Sequence, residues 1–347
     1  MLAGSITMPG SSAIRAYHSN DDTPFPDPRL TRDIYGVLAA VLSQAGEEDT
    51  AGGYIKALLR VLEAAKRSEE HGLPMSAFLV YVCGAAGGDS SLALPPAATW
   101  RALQIAAKLL DDVQDGDVAV ADRSNETGED MARTDVARVI NLSTGFIAVA
   151  GLALKGLPPQ LELTLHYEFG RAMLGVAGGQ HLDLGRRAAL SLDEYFQVIG
   201  AKSGLCFAVA ARAGALCAGA DEAALAQWEE LGYRVGMIVQ MVDDLTDWHD
   251  TSGKGDLVRG QWSLPVYYAL EVLPGGERAQ LLEWLTIPTS TKAQARARDM
   301  IASVGAELYV RTEIAIYMNQ ALAVLADLCC DPIHADDLHK WLSAFHF

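Results

Sequence analysis

The sequence predicts an all-α protein, a single large helical bundle, and three observations point that way. Apolar residues recur at helical spacing along most of the chain, no segment alternates as a strand would, and the breaks between periodic stretches are short. Residues 1–29 carry Gly, Ser, Pro and Asp without periodicity and read as a flexible arm. The domain is expected to run from 30 to 347, undivided by any linker.

The first two stripes are Ile34, Val37, Leu38, Val41 and Leu42, then Ile55, Leu58, Leu59 and Leu62. Further helices are expected at about 75–86, 96–117, 131–154, 159–185, 192–218, 221–250, 264–273, 277–286, 291–330 and 335–346. Punctuation such as Gly87-Gly88-Asp89, Pro95-Pro96, Gly156-Leu157-Pro158-Pro159 and Gly219-Ala220-Asp221 separates them. Amphipathic helices bury their stripes against one another, which makes a bundle.

Composition narrows the function. With 347 residues, 50% of them apolar, the chain can build a sizeable core. A net charge of −17 without a Lys/Arg cluster argues against nucleic acid as a partner. The five cysteines, Cys83, Cys206, Cys217, Cys329 and Cys330, form neither a disulfide framework nor a zinc knuckle. Polar residues such as Asn141, Ser143 and Arg212 interrupt the most apolar stretches, and the N-terminus lacks the order of a secretory signal. No transmembrane segment and a cytoplasmic location are the expectation.

Two acidic clusters carry the chemistry. Asp111, Asp112 and Asp115 follow the apolar run through Leu103, Ile105, Leu109 and Leu110. Asp243, Asp244 and Asp247 follow Val235, Ile238, Val239 and Val242 in the same way. Residues at i and i+4 share one face of a helix, so each cluster aims at least two carboxylates at one point. A helix C-terminus already disfavours negative charge, and a bound cation would compensate. Oxygen donors without nearby His or Cys suit a hard cation, best Mg²⁺ completed by substrate phosphate. One cluster alone could equally be a solvated helix end; two matching clusters make that less economical. Asp111 to Asp122 fails as a calcium loop, because Val113 and Asp122 stand where the third and last ligands belong.

With both clusters placed, the chain from about Leu30 onward resembles the trans-prenyltransferase (polyprenyl synthetase) family of the class I isoprenoid synthase fold. Three further segments match in order. Gly179-Gln180-His181-Leu182-Asp183-Leu184 is similar to the family's GQxxDL, and Lys202-Ser203-Gly204 to its Lys-Thr-Gly. Lys254-Gly255-Asp256-Leu257 with Gly260-Gln261-Trp262-Ser263-Leu264-Pro265 is similar to its covering loop. The resemblance implies three Mg²⁺ ions held by the six aspartates and an allylic prenyl diphosphate bound also by Lys202, Gln180 and Lys254. Gln104 falls where the family has His or Gln, and a homodimer is implied as well.

Departures from the pattern shape the expected reaction. Chain-elongating members bind isopentenyl diphosphate through basic residues whose places here fall on Gly72, Leu73 and Met75 and near Val120 and Ala121, with only Arg123 close by. A diphosphate needs charged donors, which apolar residues cannot supply. The resulting expectation is a terpene cyclase, with a chain-elongating synthase, a prenyl transferase to another acceptor and a non-catalytic subunit as alternatives. Ala106 and Ala107 stand where bulky side chains floor the family's pocket. A deep pocket and a substrate of about twenty carbons or more follow from that resemblance, and Phe146, Tyr167, Phe169 and Phe207 are candidates to stabilise a cation.

Overall fold

In the computed structural model, helix α1 (Pro28–Gly46) opens where the flexible arm was expected to end. Pro28 suits the first helical turn because its missing N–H has no partner there, and Asp27 Oδ1 accepts from Arg29 N at 2.9 Å. The structure describes residues 27–46, 53–70, 72–115, 128–186, 191–250, 257, 262–286, 291–328 and 332–345, with backbone alone at 128–134, 185–186 and 332–334. All regular structure among them is helical. Lys254, Gln261, Arg123, Val120 and Ala121 lie outside the described residues, as does the stretch before 27.

The described residues divide into two compact units. The first draws on Met1–Phe169, Ala213–Asp221 and Cys330–His346, the second on Gly170–Arg212 and Glu222–Cys329. Two of the boundaries, after Phe169 and after Arg212, fall inside helices.

The first unit contains α1, α2 (Tyr54–Glu70), α3 (Phe78–Ala85), α4 (Ser90–Asp115), α5 (Gly128–Ala153), the start of α6 (Pro159–Arg186), the end of α8 (Leu205–Cys217) and α14 (Pro332–Ser343). Its core gathers Phe78 between Trp341 and Trp100, at ring-centroid distances of 4.9 and 6.3 Å. Thr99 Oγ1 donates to Ala150 O and Ser143 Oγ to Ala106 O, both at 2.9 Å, which fixes α5 along α4. Arg101 and Glu69 are buried together at 3.4 Å. Arg101 also donates to the Tyr35 hydroxyl at 2.6 Å and to Gln104 Oε1 at 3.2 Å, and Glu69 accepts from Ser76 N at 2.7 Å. A buried pair of this kind survives because both partners make further hydrogen bonds.

Helix α4 begins at Ser90, six residues before the expected start, and runs through Pro95 and Pro96. Asp89 compensates at its start, accepting from Ser91 N at 2.9 Å. Pro96 cannot donate to Leu92 O as a helical residue would. The Cys217 thiol approaches that carbonyl instead, at 3.5 Å.

The second unit contains the rest of α6, α7 (Leu192–Ile199), a π-helical turn (Gly200–Gly204), most of α8, α9 (Glu222–His249), α10 (Leu264–Val272), α11 (Gly275–Leu285), α12 (Thr291–Ser303) and α13 (Ala306–Asp327). Trp228, Leu231, Val235, Ile238 and Met241 form the buried stripe of α9. The continuous helix expected over 291–330 is broken at Gly305, whose φ of 74° lies in the left-handed region that glycine adopts without steric cost. The helix expected over 192–218 is interrupted by the π turn.

Among the described residues, two stretches, Asp135–Ala153 and Leu192–Cys217, are long and apolar enough to cross a bilayer by length and composition alone. The second holds the π turn and most of it is buried within the fold, as a core helix is.

Candidate functional site

Asp111, Asp112 and Asp115 occupy the last turn and a half of α4, and all three are half-buried. Lys108 lies one turn earlier, its Nζ 2.7 Å from Asp112 Oδ1. Burial disfavours the charge on Lys108, yet Asp112, helped by Asp111 and Asp115, holds its pKa above the usual lysine value. The cluster therefore carries one built-in cation for three carboxylates. Farther up the helix, Gln104 is half-buried with its carbonyl oxygen turned to Arg101. Ala106 is fully buried under Ser143, so Ala107 is the member of that pair that keeps open surface.

The second cluster is divided. Asp243 and Asp247, one turn apart on α9, are half-buried, whereas Asp244 is 5% exposed and points into the unit. Its Oδ2 accepts from the Tyr195 hydroxyl of α7 and, at 2.6 Å, from Leu264 N at the start of α10. Its Oδ1 accepts from Gln240 Nε2 at 3.0 Å. Burial pushes the Asp244 carboxyl up to about 6, against the pull of these three donors. A carboxylate so engaged has little capacity left for a metal. The structure thus separates Asp244, expected as a ligand, from Asp243 and Asp247.

The remaining motifs meet around the π turn. Gly179 of α6 lies against Ala201 and Lys202: a Cβ there would come within 2.8 Å of Ala201 Cβ and 3.0 Å of its carbonyl carbon. From the other side, a Cβ on Gly236 of α9 would strike the Ser203 carbonyl. The wide turn fits only because both neighbours lack side chains. Within it, Lys202 Nζ donates to Asp183 Oδ2 at 2.8 Å, and Ser203 Oγ donates to Gln240 Oε1 at 2.7 Å. Gln180 is half-buried on α6 beside Gly179. The Gly and Asp of the GQxxDL-like segment are thereby explained: one admits the π turn, the other pairs its lysine.

Sequence reasoning missed Tyr195 and Gln240. Gln240 had a signal, since it stands one helical turn before Asp244; Tyr195 had none. Among the cation-stabilising candidates, Tyr167 is 68% exposed, while Phe146, Phe169 and Phe207 are buried.

Among the described residues, no three His, Cys, Asp or Glu side chains converge closely enough to hold an ion unaided. Paired carboxylates on one helix face, without nitrogen or sulfur donors, still fit Mg²⁺, which retains waters and takes its remaining ligands from phosphate.

Residues 72–304, about two-thirds of the chain, match the Polyprenyl synthetase family. Among curated proteins, the geranylgeranyl diphosphate synthase of Mycobacterium tuberculosis is 32% identical over 204 residues, covering 56% of this chain and 57% of that protein. The nonaprenyl diphosphate synthase of the same organism is 30% identical over 160 residues, covering 40% and 47%. The chain thus matches about half the length of these relatives. A polyprenyl synthetase structure from Streptomyces coelicolor A3(2) superimposes with a TM-score of 0.73 over 91% of this chain and 97% of that one, at 23% identity, which speaks for the fold. The acidic helix ends and the glycine-flanked π turn are therefore built on a shared helical fold, and the chain belongs to the polyprenyl synthetase family.

Proposed function

We propose that the chain is a Mg²⁺-dependent prenyltransferase that ionises an allylic prenyl diphosphate of C20 or longer and joins the prenyl group to isopentenyl diphosphate. The observation that carries this reading is the pair of acidic helix ends, Asp111, Asp112 and Asp115 on α4 and Asp243 and Asp247 on α9, in a chain of this family. Bound Mg²⁺ would supply positive charge to the departing diphosphate. Lys202, held at the π turn by Asp183, would exchange that partner for a diphosphate oxygen. Gln180 and Lys254 are further candidates to bind the diphosphate. Gln104, whose carbonyl oxygen is taken by Arg101, has its amide N–H groups left to donate to substrate.

Elongation takes precedence over the cyclase expected from sequence because the two M. tuberculosis relatives carry the names of elongating synthases, and the comparisons lend a cyclase no support. The cyclase is kept as a second reading for one reason. Gly72 and Leu73 are buried and apolar where basic residues were expected, and the nearby cation Arg101 is buried against Glu69. We also propose a cytoplasmic homodimer. Its interface would use the exposed stripe of Ile140, Ile147 and Leu152 on α5 with Leu163 and Tyr167 on α6.

The test supplies purified chain and Mg²⁺ with C10, C15, C20 and C25 allylic diphosphates, with and without isopentenyl diphosphate. A longer diphosphate formed only when isopentenyl diphosphate is present is the expected result. A hydrocarbon or alcohol formed without it would replace elongation by cyclisation, and no diphosphate release from any substrate would refute both.

A further inference from the structure

Asp244 sits at the junction of three helices of the second unit. Its hydrogen bonds reach α7 through Tyr195, the first residue of α10 through Leu264 N, and α9 itself through Gln240. Gln240 uses its other amide atom, Oε1, to accept from Ser203 at 2.7 Å, inside the π turn that displays Lys202. A continuous chain of hydrogen bonds, Tyr195 to Asp244 to Gln240 to Ser203, therefore runs from α7 across the acidic end of α9 to the π turn. Both oxygens of Asp244 and both ends of the Gln240 amide are used. The Gln240 amide is fixed in one orientation, because its N–H₂ must face the carboxylate and its oxygen the hydroxyl.

We propose that Tyr195, Gln240 and Ser203 are positioning residues that, through Asp244, lock the Lys202-bearing π turn to the helix end carrying Asp243 and Asp247, so that lysine and carboxylates are presented together to a magnesium diphosphate. This rests on the reading of the site given above. A π turn is a local departure from the α-helix that persists only where neighbours hold it. Gly179 and Gly236 provide the space, and Ser203–Gln240 provides the tie that sets its rotation relative to α9. Asp243 and Asp247 flank Asp244 in sequence, so a fixed Asp244 side chain fixes the helix face they share. Leu264 N extends the same anchor to the start of α10, directly after residues 262–263.

The experiment is a double-mutant cycle on the full chain with Tyr195→Phe and Ser203→Ala, singly and together. Titration calorimetry of inorganic diphosphate in the presence of Mg²⁺ measures binding, and thermal melts without Mg²⁺ follow the fold. The two hydroxyls contact different residues, so a purely local role for each predicts additive effects. The expected result is a loss of roughly tenfold in magnesium diphosphate affinity for either single variant, as for groups that orient metal ligands. The double variant should lose little more than either one. Gln240→Glu should behave like the singles, since a second carboxylate cannot donate to Asp244, whereas Ser203→Thr, which keeps the hydroxyl, should restore binding. Variants that melt lower but bind as wild type, or effects that add, would overturn the network alone. A wild-type chain that takes up no magnesium diphosphate would overturn the network and the proposed function together.

Discussion

The ends of α4 and α9 carry the same Asp-Asp-x-x-Asp spacing, yet the two clusters are different objects. In each, the residue one helical turn before the second aspartate bonds to it: Lys108 to Asp112, and Gln240 to Asp244. At α4 that partner is a cation and all three carboxylates stay half-open to solvent. At α9 it is a neutral amide belonging to a buried network, while Asp243 and Asp247 are half-buried and Asp243 Oδ1 is itself shielded from solvent. The lesson is that a spacing fixes which carboxylates share a face, whereas the packed neighbours decide which of them are available. Asp112 and Asp244 hold the same motif position in opposite surroundings, one half-exposed beside a cation and the other buried among neutral donors.

The largest effect expected follows directly. Asp112→Ala and Asp244→Ala should each lower turnover by a factor of roughly a hundred, the first by removing a carboxylate open to a metal and the second by releasing the groups that orient such carboxylates. Asp244→Ala should cost much the more stability, because Asp112→Ala gives up only the partly screened Lys108 pair. Removing the Asp244 carboxylate leaves the Tyr195 hydroxyl and Leu264 N–H buried without an acceptor, about 1–3 kcal/mol for each such group. Urea unfolding of the two variants without Mg²⁺ measures the difference. Equal stabilities would erase the distinction between the clusters.

A smaller effect sharpens it. Lys108 competes with any cation drawn to Asp112, so Lys108→Met should lower the Mg²⁺ concentration needed for half-maximal turnover about threefold to tenfold, a partly screened interaction of roughly 1 kcal/mol. Gln240→Lys, which imports the α4 arrangement into α9, should raise it. Stability supplies an independent check. Lys108 is held above its ordinary value of 10.5, so its contribution is fully present below that pH and is lost as pH rises through the folded-state value. Lys108→Met should therefore flatten the alkaline limb of the unfolding curve, and Gln240→Met should leave it unchanged.

Much of this arrangement was legible in the sequence, and the limits have physical causes. The periodic stripes located the helices, and the acidic clusters and the Gly-Gln segment marked the residues later found at helix ends and beside the π turn. Residues 192–218 read as one unbroken helix because a π turn has no periodicity of its own. It exists because Gly179 and Gly236, distant in sequence, make room for it. The run 291–330 hid a break because a single glycine within a helical pattern is tolerated as often as it terminates. The start of α4 before Pro95 depends on a cap at Asp89 and on a thiol 125 residues away at the orphaned Leu92 carbonyl. Asp244 looked like its neighbours because Tyr195, which removes it from solvent, is 49 residues distant.

The smallest expected effect concerns how the end of α9 is closed. Arg298 of α12 donates to Trp248 O at 2.6 Å and reaches Asp250 O at 3.5 Å, with its guanidinium 5.0 Å from the Trp248 ring centroid. A cation at the last carbonyls of a helix opposes the negative end of the macrodipole and satisfies acceptors that the helix leaves open. It also stands just beyond Asp247, where three aspartates have concentrated negative charge. Arg298→Gln keeps a donor and removes the charge, and should cost about 0.3–1 kcal/mol in unfolding free energy at low salt. The loss should shrink as salt is added, because screening acts on the charge and not on the hydrogen bond. Arg298→Met removes both and should cost more, with a component that salt does not erase. If the two variants lose the same amount at every salt concentration, the closure of α9 rests on packing against Trp248, and charge at this helix end is not what distinguishes it.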